Sequence, residues 1–148
     1  MSIYRGCELP EDLYYDLDYL WVRPNGDGSF TLGLTDPAQT MAGRVLAATF
    51  RKPGTHREAG RNVATIESGK WVGGVPLPFA GTLERINPAV TENPGLINVA
   101  PYTEAWLIVA RPDDAEAALA LLSRGPEAVA ALKEWIDRYD IECMRCAE

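Results

Sequence analysis

Asn62-Val63-Ala64-Thr65-Ile66-Glu67-Ser68-Gly69-Lys70-Trp71-Val72 is the stretch on which the fold turns. Val63 to Ile66 is a short β-prone run, and Trp71-Val72 opens another. Between them, Glu67-Ser68-Gly69-Lys70 is turn chemistry: the serine hydroxyl can bond nearby backbone, and the glycine relaxes the φ restriction. Two strands joined so tightly make a hairpin, and Lys70 stands at its tip, reachable by another enzyme. The protein has only three lysines, against eleven arginines. Lys52 lies in a polar loop and Lys133 on a helical stretch, so Lys70 alone is carried by a hairpin. Composition by itself makes it an ordinary surface lysine.

Working outward, short strands separated by turn residues dominate Leu20 to Ala110. Phe30, Leu32 and Leu34 alternate with Thr31 and Gly33, a period of two. Val45 to Phe50, Leu83 to Ile86 and Trp106 to Ala110 are further strand-like runs. Pro24-Asn25-Gly26-Asp27-Gly28, Pro53-Gly54, Gly73-Gly74 and Asn93-Pro94-Gly95 punctuate them. The pattern predicts a mostly β protein, a sandwich or flattened barrel of antiparallel sheets. Helices are few. Asp36 is expected to cap a short helix that starts at Pro37 and stops at Gly43. Asp113 or Asp114 can cap a second helix, running to Leu122. Gly125-Pro126 opens a third, whose stripe of Val129, Leu132, Trp135, Ile136 and Tyr139 reads as a face packed on the sheet. Ile141 to Glu148 reads as a tail free to fray.

At 148 residues the chain is long enough for one domain with a genuine core. A net charge of −7 lacks the basic footprint that nucleic acid requires. No apolar run is long enough to span a membrane, and Met1 to Arg5 does not open a signal peptide. The expectation is a cytoplasmic monomer. The single histidine, His56, sits in the polar stretch Lys52 to Glu58 and makes a poor centre for a catalytic triad. Three cysteines, Cys7, Cys143 and Cys146, do not make a disulfide framework. Cys143 and Cys146 have the C-x-x-C spacing of a redox pair, or are two unpaired tail thiols. A zinc site would need further ligands from His56 or a second chain.

The order of motifs around Lys70 adds a resemblance. Leu9 to Leu13 with Trp21-Val22, Gly33 to Gln39, Ile66 to Lys70, Pro78 to Leu83, Asn87 to Asn98, and Pro101-Tyr102 with Trp106 to Ile108 together resemble the H protein of the glycine cleavage system, a relative of the lipoyl and biotinyl carrier domains. Six segments in one order are a specific signal where a lone Glu-Ser-x-Lys is weak. The resemblance implies a barrel-sandwich hybrid, with residues 1–112 as the carrier domain and 113–148 as a C-terminal helical extension packed on it. It implies lipoate joined by an amide bond to Lys70, with Glu67, Ser68, Gly69 and Trp71 forming the hairpin around the attachment point. It also implies a carrier rather than an enzyme: a lipoate-attaching enzyme loads it, and the dithiolane of a swinging arm does the chemistry at partner active sites.

The departures bear on which carrier this is. The family's usual hairpin has valine before the lysine and alanine after it, where this chain has Gly69 and Trp71. An exposed tryptophan there alters the docking surface and could shield the dithiolane. A histidine that usually precedes the first tryptophan is Tyr19. The segment after the hairpin, Val72-Gly73-Gly74-Val75, is uncharged. With the cysteine-bearing tail, these features look like the H-protein-like lipoate-binding proteins of bacterial sulfur oxidation. That subgroup implies a heterodisulfide-reductase-like complex and a dihydrolipoamide dehydrogenase-like reoxidant as partners. The alternatives are the aminomethyl carrier of glycine cleavage, working with glycine decarboxylase and aminomethyltransferase, and an unmodified interaction module. A biotinyl carrier typically has methionines flanking its lysine, and this chain has none there.

Overall fold

The computed structural model describes residues 2–16 and 18–143. The chain opens with a hairpin of β1 (Ser2–Tyr4) and β2 (Cys7–Leu9), then β3 (Tyr14–Tyr15), β4 (Leu20–Pro24), β5 (Phe30–Leu34) and helix α1 (Asp36–Ala42). Next come β6 (Val45–Phe50), β7 (His56–Arg57), β8 (Asn62–Ser68), β9 (Val72–Pro76) and β10 (Gly81–Ile86). Two short helices, α2 (Pro88–Glu92) and α3 (Leu96–Val99), lead to β11 (Ile108–Pro112). The chain then runs through α4 (Ala115–Ala120) and β12 (Ser123–Arg124) into α5 (Gly125–Arg138). A seven-stranded sheet, in the order β12-β3-β4-β5-β11-β10-β7, faces a three-stranded sheet, β6-β8-β9. Every pairing is antiparallel.

The expected mostly β barrel-sandwich is the observed fold. Alternation along β8 explains the inner layer: Ala64, Ile66 and Ser68 are buried while Thr65 and Glu67 are exposed. Ala64 and Ile66 join Leu20, Val22, Leu32, Val75, Leu77, Phe79 and Leu83 in the main core. Strand β4 is buried on both faces. Its Leu20 and Val22 enter the main core, and Trp21 enters a second cluster with Tyr15, Val129, Leu132 and Ile136. Trp21 lies across Gly33, its register partner on β5. A Cβ at position 33 would stand 2.5 Å from Trp21 Cζ2, so only glycine permits that crossing.

Several local expectations need correction. The cap of α1 is Thr35, whose hydroxyl accepts from the Ala38 N–H, and not Asp36. Asp36 sits in the first turn, where its carboxylate accepts from the Glu8 N–H and the Gln39 side-chain amide, both at 2.8 Å. The Asn87 to Asn98 run, for which the sequence reading named no element, forms α2 and α3; the Asn87 side chain caps α2 by accepting from the Ala89 N–H. The strand expected over Trp106 to Ala110 is β11, which starts at Ile108, two residues later. The tail does not fray as far as it is described, because Ile141 is buried and Cys143 forms a disulfide with Cys7, 136 residues away. Cys143 is therefore not paired with Cys146, which lies outside the described residues. The C-x-x-C spacing could not reveal a partner brought in from the N-terminal hairpin.

Candidate functional site

Strands β8 and β9 are joined through Gly69-Lys70-Trp71, and the turn narrows to a two-residue tip, Gly69-Lys70. Ser68 and Trp71 close it. The Ser68 N–H donates to the Trp71 carbonyl at 2.7 Å, and the Ser68 hydroxyl reaches the same oxygen at 3.3 Å while accepting from the Lys70 N–H at 3.3 Å. Ser68 is buried, so the loop is anchored from inside the sheet. Neither loop residue takes a left-handed φ, and a Cβ on Gly69 would meet nothing within 4 Å. The freedom of glycine is thus not used at position 69, contrary to the sequence expectation. Glu67 pairs in register with Val72 and points to solvent.

Lys70 is exposed, and its ammonium makes no ion pair among the described residues. Its aliphatic stem has a definite bed. Gly43, the cap residue at the end of α1, has φ +82°, and a Cβ there would stand 2.9 Å from Lys70 Cε. The stem therefore runs over a bare backbone. That backbone is fixed by Asn98, which is buried on α3. Its amide donates to the Gly43 carbonyl at 2.8 Å and to the Gln39 side-chain oxygen at 2.9 Å, and its own oxygen accepts from the Val45 N–H at 2.8 Å. Gln39 in turn holds Asp36, whose backbone N–H donates to the Tyr102 hydroxyl, which donates to the Glu8 carbonyl at 2.6 Å. Burial pushes the Asp36 carboxyl above the usual carboxylate range, partly offset by the Gln39 amide. Polar groups in this buried chain thus find partners, and they tie the N-terminal hairpin to the bed of Lys70.

A small pocket of about 80 Å³, partly open to solvent, lies beside the loop. Helix α1 supplies Ala38, Met41 and Ala42; Leu34 and Tyr19 come from the large sheet and the turn before it; Trp71, Gly74 and Val75 come from the hairpin. Trp71 and Tyr19 are each 39% exposed, unusual for such large rings. The Trp71 ring lies along its own strand: a Cβ on Gly73 would stand 2.0 Å from its Cζ2. Gly43, Asn98 and Met41 were not legible as site residues. The only hint was that Gln39 and Asn98 are polar residues within the motif segments.

A barrel-sandwich that presents an exposed lysine at the tip of a tight hairpin, its stem bedded on a bare glycine backbone, has the architecture of a carrier domain. The sequence profile of the family described as "Glycine cleavage H-protein" matches residues 13–135, and the chain belongs to that family. Among its relatives, "Glycine cleavage system H protein 3" of Aquifex aeolicus (strain VF5) is 46% identical over 97% of this chain and 91% of its own length. "Probable glycine cleavage system H protein 2" of Sulfurisphaera tokodaii is 39% identical over 98% of this chain and 99% of its own. The crystal structure of a glycine cleavage system H protein from Mycobacterium marinum superposes with a TM-score of 0.72 at 23% identity, covering 90% of this chain and 100% of that one, and shows the shared fold. Proteins of this family are lipoate carriers, not enzymes. Among the described residues no helix is long and apolar enough to cross a membrane.

Proposed function

We propose that this protein carries its lipoyl group on Lys70 and moves it between partner enzymes in the cytoplasm. The carrying observation is the Lys70 environment: an exposed amine at a hairpin tip closed by Ser68 and Trp71, its stem aligned over Gly43. An attaching enzyme needs such an accessible amine, and the arm needs a fixed point of departure. Ser68 anchors the loop, Asn98 holds the bed, and Trp71 borders the pocket next to the attachment point. Amide formation removes the lysine charge, which costs no ion pair here. When bound, the lipoyl group supplies a reversible dithiol–disulfide couple that holds a group on sulfur.

The names of the relatives favour the aminomethyl group of glycine cleavage as the cargo, with glycine decarboxylase and aminomethyltransferase as partners. A second reading, sulfane sulfur exchanged with a heterodisulfide-reductase-like complex, is favoured by the uncharged pocket and by Trp71 beside the lysine. The attachment is tested by intact mass after incubation with lipoate, ATP and a lipoate ligase. Wild type and Lys52→Arg should gain one lipoyl group and Lys70→Arg none; a lipoylated Lys70→Arg protein would overturn the assignment. The cargo is tested by glycine–bicarbonate exchange with glycine decarboxylase, set against uptake of sulfur from a persulfide donor.

A further inference from the structure

We infer that the end of the three-stranded sheet away from Lys70 is a docking face for the acidic surface of a partner protein. The inference takes the existence of a partner from the carrier reading, and the place and charge of the contact from the cations themselves. Residues 44–61 carry five cations and one carboxylate, a net +4, while the rest of the chain totals −11. Four of those cations, Arg51, Lys52, Arg57 and Arg61, lie between the end of β6 and the start of β8. The one carboxylate, Glu58, faces His56 at 3.7 Å, and Asp113 is held by the same ring at 2.8 Å. Six cations elsewhere are satisfied within the chain. Arg5 is paired with Asp137, Asp140 and Glu142, and Arg111 with Glu84; Arg23, Arg85, Arg124 and Lys133 lie over aromatic rings. Among the described residues, Arg51, Lys52, Arg57 and Arg61 have neither kind of partner, and Arg57 Nε is buried without an acceptor.

The same end of the sheet carries a groove. Arg51 and Asn62, the neighbour of Arg61, line it with Thr49, Phe50, Ala64 and Thr65. Thr49 and Thr65 are exposed register partners, and the Asn62 side chain lies over Gly74, where a Cβ would stand 2.1 Å from its Nδ2. No carboxylate lines the groove. Its guanidinium, amide and two hydroxyls can all donate, which suits carboxylate oxygens. Opposite potentials steer such an encounter and fix its register. A compact acidic patch would meet the four cations alone. An extended polyanion such as nucleic acid would run on into the negative charge of the remaining surface. About 20 Å of β8 separates Asn62 from Ser68. A partner held at this end therefore grips the sheet that carries Lys70 without covering its tip.

The test titrates the full-length protein, bare and lipoylated, with an octaglutamate peptide and with an eight-residue oligothymidylate, followed by amide NMR. Salt is set at about 0.1 M, where exposed charges more than about 10 Å apart are largely screened. Octaglutamate should shift the amides of Thr49, Arg51, Asn62 and Thr65, leave α5 unmoved, and bind more tightly than the oligothymidylate. Arg51→Glu/Arg61→Glu should weaken octaglutamate binding about tenfold, because two exposed pairs are lost and two repulsions gained. Arg138→Glu, which reverses an exposed cation on α5, should change it by less than about twofold. No binding, shifts centred on α5, or equal weakening by Arg138→Glu would overturn the inference. Tighter binding of oligothymidylate at the same residues would overturn it in favour of nucleic acid. Bare and lipoylated protein should bind alike. If mass shows no lipoyl on Lys70, the attachment reading fails while the titration still decides what the face accepts.

Discussion

The two sheets are covered differently. Behind β3 and β4, the second cluster is closed on all sides: Trp21 is fully buried against Gly33, α5 lays Val129, Leu132 and Ile136 over it, and the Cys7–Cys143 disulfide ties both chain ends across it. At the Lys70 end of the three-stranded sheet, Leu46, Trp71 and Val72 stay exposed, and the structure stops at a two-residue tip. The difference teaches that Lys70 is not held by a dense local core. It is held from behind, through the relay of Glu8, Asp36, Gln39 and Asn98 that reaches from the closed end to the bed of the lysine.

The sharpest way to break the contrast is to empty the closed end. Trp21→Ala removes the ring over Gly33 and the indole hydrogen bond to the Pro101 carbonyl at 2.9 Å. It should cost about 3–5 kcal/mol in chemical denaturation, with lipoylation of whatever remains folded unchanged. Removing the staple should cost less. Cys143→Ser opens a loop of more than a hundred residues and should lower stability by roughly 2–4 kcal/mol under oxidising conditions. The same loss should appear in wild type on adding reductant, and the variant should no longer respond to reductant. A reductant-insensitive wild type would show that the disulfide does not brace the closed end.

The third break targets the relay. Asn98→Ala strips partners from the Val45 N–H, the Gly43 carbonyl and the Gln39 side chain at once. Leaving such groups unpaired should cost about 1–3 kcal/mol. Unlike the first two changes, it should also alter the working end, slowing ligase-catalysed lipoylation of Lys70 at temperatures where the fold is intact. Stability loss with an unchanged lipoylation rate would reduce Asn98 to a structural role.

How much of this contrast could be read in the sequence follows its range. Period-two runs such as Phe30 to Leu34 and the stripe of α5 are local, and they announced the sheets and the packed helix. The hairpin at Lys70 was legible because its turn residues are contiguous, and its order among the other motifs pointed to the arm. The bed was not legible. Gly43 looked only like a helix stop, and nothing in a linear chain says that residue 98 will hold it or that residue 70 will lie on it. The Cys7–Cys143 bond failed to show for the same reason: a C-x-x-C pattern draws attention to a near neighbour, while the partner arrives from the other end of the chain. Thr35 displaced Asp36 as the cap because Asp36 was needed one layer deeper, by Glu8.

The smallest expected effect lies at the β7 edge of the seven-stranded sheet, which does not carry the Lys70 loop. His56, on the short edge strand β7, contacts Asp113 through Nε2 at 2.8 Å and faces Glu58 at 3.7 Å. The hydrogen bond to Asp113 raises its pKa above the ordinary histidine value, with smaller charge attraction from Asp113 and Glu58. A raised folded-state value means that protonated His56 favours the fold at pH below the ordinary histidine value. The benefit fades as pH climbs through the raised value. Because the pair is exposed, the change in stability should be slight, and the readable quantity is the titration itself. NMR should place the His56 midpoint above that of a free histidine, and Asp113→Asn should bring it down without touching lipoylation at Lys70. A midpoint unmoved by Asp113→Asn would assign the shift to Glu58. A change in lipoylation would mean that this edge and the hairpin are coupled, which the relay through Asn98, whose partners Gln39, Gly43 and Val45 lie outside β7, gives no reason to expect.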